Sequence, residues 1–165
     1  MLWANFFGFL AAITYFITII PGLIRTLYPA WMRLSWAKFL LKCRRELGVL
    51  AFVWALIHGS LIVWERNLNF FSLSVLKTYI YGIAMSLILT VLTITSNDFS
   101  VRKLRKNWKK LHNFTFLVLI LIPLHILDKM ANHWTIWTHF SLFLSFFFLL
   151  LSALRLFQIL KTKKF

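Results

Sequence analysis

Three histidines lie in or beside long apolar stretches of this chain, and they are its strongest candidates for chemistry. His58 follows LGVLAFVWALI, His125 follows FTFLVLILIPL, and His112 opens the second of these stretches as KKLHNF. An imidazole within a lipid-spanning segment is costly to keep there and commonly marks a cofactor or an ion path. Cofactor binding and ion conduction are therefore the first chemistries to consider.

The composition places these histidines in a membrane protein. The 165 residues are 61% hydrophobic and 18% aromatic, with a mean hydropathy of +0.79, whereas soluble domains hold about 45–50% apolar residues. Five apolar stretches can cross a hydrocarbon core of about 30 Å, and in lipid each must be helical because every backbone polar group needs an internal partner. We predict an all-α integral membrane protein, a single domain over residues 1–165 that forms a bundle of five transmembrane helices. The predicted helices cover approximately residues 3–24, 46–64, 75–95, 111–127 and 136–157.

The charged residues lie between these stretches and predict an orientation. Nineteen basic residues against four acidic ones give a net charge of +15. Sixteen of the nineteen fall in the loops 25–45 and 96–110 and at the C-terminal end. By the positive-inside rule these regions are cytoplasmic, which predicts a bacterial inner-membrane protein with a periplasmic N-terminus and a cytoplasmic C-terminus. The same charges suit anionic membrane lipids, and no nucleic-acid-binding motif accompanies them.

Three further features bear on the class of protein. In residues 31–42 aromatic and leucine side chains are interleaved with basic ones, which is typical of a segment lying in the membrane interface and equally of an ordinary basic loop. The single cysteine, Cys43, excludes a disulfide framework and a CxxC motif. The first apolar stretch has no basic region before it and no convincing small-residue cleavage site, so we predict that it is not a signal peptide.

Helical rise places two of the histidines at similar depth in the membrane. Counted from Glu46, His58 lies roughly 18 Å in, and counted from Lys110, His125 lies roughly 22 Å in. Two neutral imidazoles that face each other across a bundle core can supply both axial ligands of a b-type haem. The alternative is that each histidine only hydrogen-bonds a neighbouring helix. We predict the haem site, with His58 and His125 as iron ligands and Gly59 leaving room for a flat macrocycle.

His112 is the third candidate and has several interpretations. It lies 13 residues before His125, so an ideal helix points the two imidazoles about 140° apart, although a kink at Pro123 can alter that angle. At the level of His112 the second predicted helix carries Arg44 and Arg45 instead of a histidine. His112 could ligate a second haem with an unusual partner, bind a quinone or a flavin such as FMN, or lie at the interface without a ligand.

Arg44 and Arg45 are candidate cofactor-binding residues on the cytoplasmic side. Guanidinium groups pair with anions in fork geometry, so the two could hold haem propionates or an anionic quinone or flavin, or they could serve only as topology signals. His133 and His139 are six residues apart near the start of the last predicted helix, and we predict surface positions for both. The predicted helices contain no pair of carboxylates, which disfavours a proton relay and therefore a small transporter. The sequence also lacks a phosphate-cradling glycine loop.

Two segments of the chain resemble the ferric reductase-like transmembrane family. They are RRELGVLAFVWALIH, residues 44–58, and TSNDFSVRKLRKNWKKLHNFTFLVLILIPLH, residues 95–125. The matching features are the double arginine, the LGxxAFxxAxxH helix, the TS pair, and WxxLH with a histidine 13 residues on. Within this family the likeness is greatest to the haem-binding membrane subunits of bacterial methionine sulfoxide reductase systems. The resemblance implies b-type haem held by His58 and His125, with His112 as a third functional position.

The resemblance also implies electron transfer across the inner membrane. Electrons would enter on the cytoplasmic side from quinol or a soluble flavin reductase and leave to a periplasmic redox protein such as a methionine sulfoxide reductase. This chain departs from the family in carrying one histidine on its second helix where the eukaryotic-type members carry two. It also has Lys77, Thr78 and Tyr79 in place of an RPY-like segment. The alternatives are reduction of ferric or other metal ions, and a cofactor-free membrane assembly or scaffold subunit.

Overall fold

A computed structural model describes residues 2–69, 71–130 and 134–162 of the chain. Over these residues the regular structure is entirely helical, with one 3₁₀ turn at Pro29–Arg33. The α-helices are α1 Leu2–Leu27, α2 Ser35–Lys42, α3 Arg44–Arg66, α4 Leu73–Thr78, α5 Ile80–Ile94, α6 Asp98–Leu104, α7 Lys106–His112, α8 Thr115–Met130 and α9 Ile136–Thr162. The prediction of an all-α protein is confirmed over the described residues.

Four stretches of the described helices are long and apolar enough to cross a membrane. They are α1, α3, the stretch Lys106–Met130 that combines α7 and α8, and α9. A fifth span is present if α5 and α6, which are bent by 92° at their junction, count as one. The predicted helix 75–95 is divided at Tyr79 between α4 and α5. Because α5 alone has 15 residues, it is about 22 Å long and shorter than the hydrocarbon core.

The predicted helix 111–127 is interrupted close to its start. α7 ends at His112, and a two-residue turn separates it from α8. The turn begins with Asn113, a residue type whose side chain competes with helical backbone hydrogen bonds. Pro123 lies inside α8 and does not end it. His112 therefore lies at the break, whereas His125 lies in the continuous part of the helix.

α1 is the central helix of the bundle. Half of its most apolar window is buried, compared with 6%, 28% and 17% of the windows of the other three spans. Phe16 of α1 stacks on Phe148 of α9 with ring centroids 5.0 Å apart, and the Tyr15 hydroxyl donates a hydrogen bond to the backbone carbonyl of Thr115 at the start of α8. Close packing and polar links of this kind hold helices together in lipid, where hydrophobic burial contributes little. α1 thus positions α8 and α9.

The segment of residues 31–42 could be either an interfacial segment or an ordinary basic loop by its sequence, and it is helical in the structure. It forms the 3₁₀ turn Pro29–Arg33 and the short helix α2. Trp31, Trp36 and Phe39 are 50%, 44% and 63% exposed. A short helical segment with exposed aromatic and basic side chains favours a position in the membrane interface over an ordinary basic loop.

Candidate cofactor site

The structure brings His58 of α3 and His125 of α8 side by side. Their ring centroids are 6.3 Å apart and their ring planes are nearly perpendicular, at 88°. Two imidazoles that each place a nitrogen about 2 Å from one metal ion have centroids about 6 Å apart. The observed separation is therefore compatible with two ligands on opposite sides of a single ion.

The hydrogen bonding of the two rings is consistent with a ligand role. The Nδ1 atom of His58 lies 2.7 Å from the backbone carbonyl oxygen of Ala4 in α1. Because a carbonyl only accepts, Nδ1 carries the proton in this bond and Nε2 keeps its lone pair. The Nδ1 atom of His125 is buried without a partner among the described residues. A buried ring nitrogen without a partner is unusual and indicates a group that the described residues do not supply.

Two glycines set the position of the imidazoles. A Cβ atom added to Gly8 of α1 would lie 3.0 Å from Nδ1 and 3.1 Å from Cε1 of His58. A Cβ added to Gly82 of α5 would lie 3.2 Å from Cε1 of His125. Distances of 3.0–3.2 Å are tighter than nine in ten real Cβ contacts, so a larger residue at either position would require the imidazole to shift by a few tenths of an ångström. Gly59, which was expected to leave room for a flat macrocycle, also lines the space beside the two rings, and a Cβ there would meet nothing within 4 Å.

Both histidines line a cavity of about 720 Å³ between α1, α3, α5 and α8. Cofactor and ligand pockets in proteins measure about 300–1,000 Å³ and are mostly apolar with a few polar groups. This cavity fits that description, since most of its surface is apolar, with aliphatic, methionine and aromatic side chains around the two imidazoles and a smaller number of hydroxyl and charged groups.

Two cations line the same cavity and were not singled out from the sequence. Arg66 donates a hydrogen bond from Nη1 to the Tyr79 hydroxyl at 3.0 Å, and Lys129 forms an ion pair with Asp128 at 2.7 Å. Lys129 also donates to the backbone carbonyl of Thr78. Helical spacing could have identified them. Arg66 follows His58 by eight residues, about two turns of α3, and Lys129 follows His125 by four residues, about one turn of α8. Each cation therefore lies on the same face of its helix as the histidine.

His112 lies apart from this pair, at the broken start of its span. Its Nε2 atom is 3.3 Å from the Thr95 hydroxyl, and its ring stacks on Trp108 with centroids 4.0 Å apart and planes at 25°. The Trp108 indole donates in turn to the backbone carbonyl of Thr95 at 2.9 Å. Thr95 of the TS pair and Trp108 and His112 of the WxxLH segment therefore form one cluster, at the point where α5 and α7 end.

The structure separates the two neighbouring arginines. Arg45 is partly exposed and donates to Asp98 of α6 at 2.6 Å. Its guanidinium holds the pKa of the Asp98 carboxyl below the usual value. Arg44 is within electrostatic range of His112, and the other charges that act on it belong to Arg25 and Arg155. The two arginines therefore do not form a single paired site.

His139 belongs to no cluster of metal-binding side chains in the part of the chain that the structure describes. His139 is exposed, and its Nδ1 lies 2.9 Å from the backbone carbonyl oxygen of Thr135. His133 lies outside the described residues. Within 2–69, 71–130 and 134–162, no group of three or more histidine, cysteine, aspartate or glutamate side chains could hold a metal ion. A haem site is not a group of this kind, because haem carries its own metal ion and needs only two histidine ligands from the protein.

Residues 7–123 match the family described as the ferric reductase like transmembrane component. The chain belongs to this ferric reductase-like family. The matched range contains His58 and His112 and ends two residues before His125, so the pairing of His125 with His58 depends on the structure. The family and the apolar helices confirm the prediction of a multi-pass protein of the bacterial inner membrane.

Several curated relatives of this ferric reductase-like chain carry the name protein-methionine-sulfoxide reductase heme-binding subunit MsrQ. The protein from Pectobacterium atrosepticum is 42% identical over 94 residues, which are 53% of this chain and 47% of the relative. The protein from Salmonella paratyphi B is 40% identical over 94 residues, with the same coverage of both chains. The chain thus spans about half the length of the curated relatives it matches. No solved structure matches the chain.

Proposed function

We propose that this chain binds one b-type haem between His58 and His125 and carries electrons across the bacterial inner membrane. The observation that carries the proposal is the pair of imidazoles 6.3 Å apart on the wall of a cavity of about 720 Å³. The likeness to relatives named as heme-binding subunits supports the same cofactor. The donor set fits haem, since two neutral imidazoles are a common axial pair for electron-transfer haems.

The chain's own residues hold the site in a state ready for a ligand. The Ala4 carbonyl fixes the His58 tautomer so that Nε2 can bind iron, and such a second hydrogen bond also raises the basicity of a ligating histidine. Gly8 and Gly82 let the two rings lie against α1 and α5. When bound, haem supplies an iron centre that accepts and donates one electron. The mostly apolar wall favours the lower-charged state of such a centre.

The distribution of charge supports an orientation with five spans. We infer that α1 begins in the periplasm, that α5, preceded by α4, supplies the third span, that α6 lies in the basic cytoplasmic loop, and that the C-terminus is cytoplasmic. The basic loops would then face the cytoplasm, and the His58–His125 site would lie in the outer half of the membrane. In this arrangement a quinol or a soluble flavin reductase donates electrons on the cytoplasmic side. A periplasmic redox protein accepts them, and the names of the relatives favour a methionine sulfoxide reductase.

A second cofactor near His112 would shorten the path through the inner half of the membrane. Thirteen residues separate His112 from His125, which corresponds to about 20 Å of helix. The His112 ring is stacked on Trp108 and its Nε2 is bonded to Thr95. These contacts favour hydrogen bonding or stacking with a quinone or a flavin, while a haem ligated at Nε2 would have to displace the bond to Thr95.

The absorption spectrum of the purified protein tests the proposed function. We expect protein expressed with ample haem to give a dithionite-reduced minus oxidised spectrum of the low-spin b-type, with at least one haem per chain. In liposomes, reduction by a donor on one side should be followed by oxidation by an acceptor on the other. A colourless protein after haem supplementation would overturn the proposal and favour the scaffold alternative.

Replacing His112 by alanine should leave the His58–His125 centre intact. Because His112 is bonded to Thr95 and stacked on Trp108, we expect His112→Ala to remove at most about half of the haem absorption and to slow reduction from the donor side. Haem content per chain and stopped-flow reduction measure the two effects. Complete loss of absorption in this variant would contradict the separation of the two sites.

A further inference from the structure

Two cations lie at one end of the cavity that His58 and His125 line. Arg66 is in the last turn of α3 and Lys129 is in the last turn of α8, so each lies beyond the histidine of its own helix. No other lysine or arginine of the described residues lines this cavity. The positive charge that the described lysines and arginines place on the cavity wall is therefore confined to this end.

Tyr79 connects the two cations. Arg66 donates a hydrogen bond from Nη1 to the Tyr79 hydroxyl at 3.0 Å, and the Nζ atom of Lys129 lies 4.8 Å from the centroid of the Tyr79 ring. Tyr79 itself lines the cavity, at the junction of α4 and α5. These contacts bring the ends of α3 and α8 together. We call Arg66, Tyr79 and Lys129 the Tyr79 group.

The Tyr79 group has hydrogen-bond donors to offer an anion. A lysine ammonium has three donors, and Lys129 pairs with Asp128 at 2.7 Å and donates to the backbone carbonyl of Thr78. The Tyr79 hydroxyl accepts from Arg66, which leaves its own proton to donate. Asp128 is 42% exposed and does not line the cavity. The third ammonium donor and the hydroxyl proton therefore remain for an anion inside the cavity.

The opposite end of the cavity is apolar. Ala51 and Val118 precede the two histidines by seven residues each, about two turns of helix. Both side chains are buried, and both line the cavity. The hydroxyl of Tyr15, another residue of the wall, already donates to the backbone carbonyl of Thr115. The cavity thus has one end suited to carboxylates and one end suited to hydrocarbon.

We propose that the Tyr79 group binds the propionates of the haem and holds the macrocycle in one orientation, with its propionate edge toward the ends of α3 and α8. The inference rests on the proposed haem function. Haem carries both carboxylates on one edge and apolar methyl and vinyl groups on the others. A carboxylate within an apolar cavity is costly unless cations and hydrogen bonds accompany it. The opposite orientation would place the carboxylates against Ala51 and Val118.

Haem dimethyl ester tests the recognition of the propionates, because esterification removes both negative charges and leaves the iron unchanged. The haem-free protein is titrated with haem and with the dimethyl ester in the same detergent, and the Soret absorption gives both affinities. We expect haem to bind at least tenfold more tightly, as is typical for charge-assisted hydrogen bonds. Affinity for the ester equal to or above that for haem would overturn this proposal and leave the proposed haem function standing. Failure to bind either compound would overturn both.

Lys129→Met assigns the preference for haem to the Tyr79 group. We expect about tenfold weaker binding of haem and unchanged binding of the dimethyl ester, since methionine keeps most of the apolar side chain and loses the charge. A purely structural role, through the bond from Lys129 to the Thr78 carbonyl, would weaken both compounds equally. That result would contradict the proposal.

Two more variants keep the test decisive. Tyr79→Phe removes only the hydroxyl and keeps the ring beside Lys129, so it replaces Lys129→Met if that protein does not fold. We expect it to weaken haem about threefold without affecting the ester. Lys77→Met is the matched control, because Lys77 is exposed two residues before Tyr79 and does not line the cavity. An equal loss of preference in Lys77→Met would show general charge attraction and overturn the assignment.

Discussion

Replacing either His58 or His125 by alanine should abolish the low-spin b-type spectrum of the purified protein. Each residue supplies one of the two imidazoles that meet at 6.3 Å, and no other histidine of the described residues lines the cavity. Loss of a residue that only supports a metal ligand typically weakens metal binding about tenfold to a hundredfold, so loss of the ligand itself should exceed that range. Haem content per chain and the reduced minus oxidised spectrum measure the effect.

His139→Ala is the matched control for both substitutions. His139 is exposed and bonded to its own helix start at Thr135, so its loss should leave haem content unchanged. A His58→Ala or His125→Ala protein that keeps the full low-spin spectrum would show that the iron has other ligands. Equal loss in all three variants would point to a general folding defect, which circular dichroism and size-exclusion chromatography would reveal.

The histidine pair could be predicted from the sequence because depth in a membrane follows from simple counting. Both histidines lie in apolar stretches with charged residues at one end, and helical rise of 1.5 Å per residue gave them depths within one turn. Depth alone does not show which way a side chain points around its helix axis. The contact between His58 and His125 therefore needed the structure, in which α1 and α5 orient the helices that carry them.

The supports of the site could not be predicted, because they come from helices distant in the sequence. Ala4 and Gly8 lie some fifty residues before His58, and nothing in their local sequence marks them as its neighbours. The same limit applies to the double arginine, since Arg45 pairs with Asp98 of α6 whereas its neighbour Arg44 is influenced by the charges of Arg25 and Arg155. Adjacent helical residues point about 100° apart, so a double arginine does not by itself define one site.

The break between α7 and α8, directly after His112, was not predicted from the sequence either. The hydropathy of residues 111–127 is continuous enough to suggest one helix, and Asn113 is a weak helix breaker. The turn after His112 places the ring against Trp108 and Thr95. These contacts depend on where α5 and α7 end. The end of a helix is the feature that a sequence predicts least well.

Gly8→Ala should weaken haem binding although the substitution is small and far from His58 in the sequence. The new Cβ would lie 3.0 Å from Nδ1 of His58, so the ring must move away from α1 and strain its bond to the Ala4 carbonyl. An off-rotamer side chain and a weakened hydrogen bond together cost about 1–3 kcal/mol, which is about fivefold to 150-fold in haem affinity. Haem titration of the apoprotein measures the affinity, and the redox potential should shift as well.

Comparison with other glycines separates this effect from a change in helix stability. Alanine is a better helix former than glycine by about 0.5–1 kcal/mol, so helix propensity alone predicts that Gly8→Ala stabilises the protein. Gly48→Ala tests propensity without a clash, because a Cβ there meets nothing within 4 Å, and we expect it to leave haem affinity unchanged. Gly82→Ala should lie between the two, since its Cβ would approach His125 less closely, at 3.2 Å. Unchanged haem affinity in Gly8→Ala would show that the His58 ring is free to move, and the glycine would then have no role in positioning the ligand.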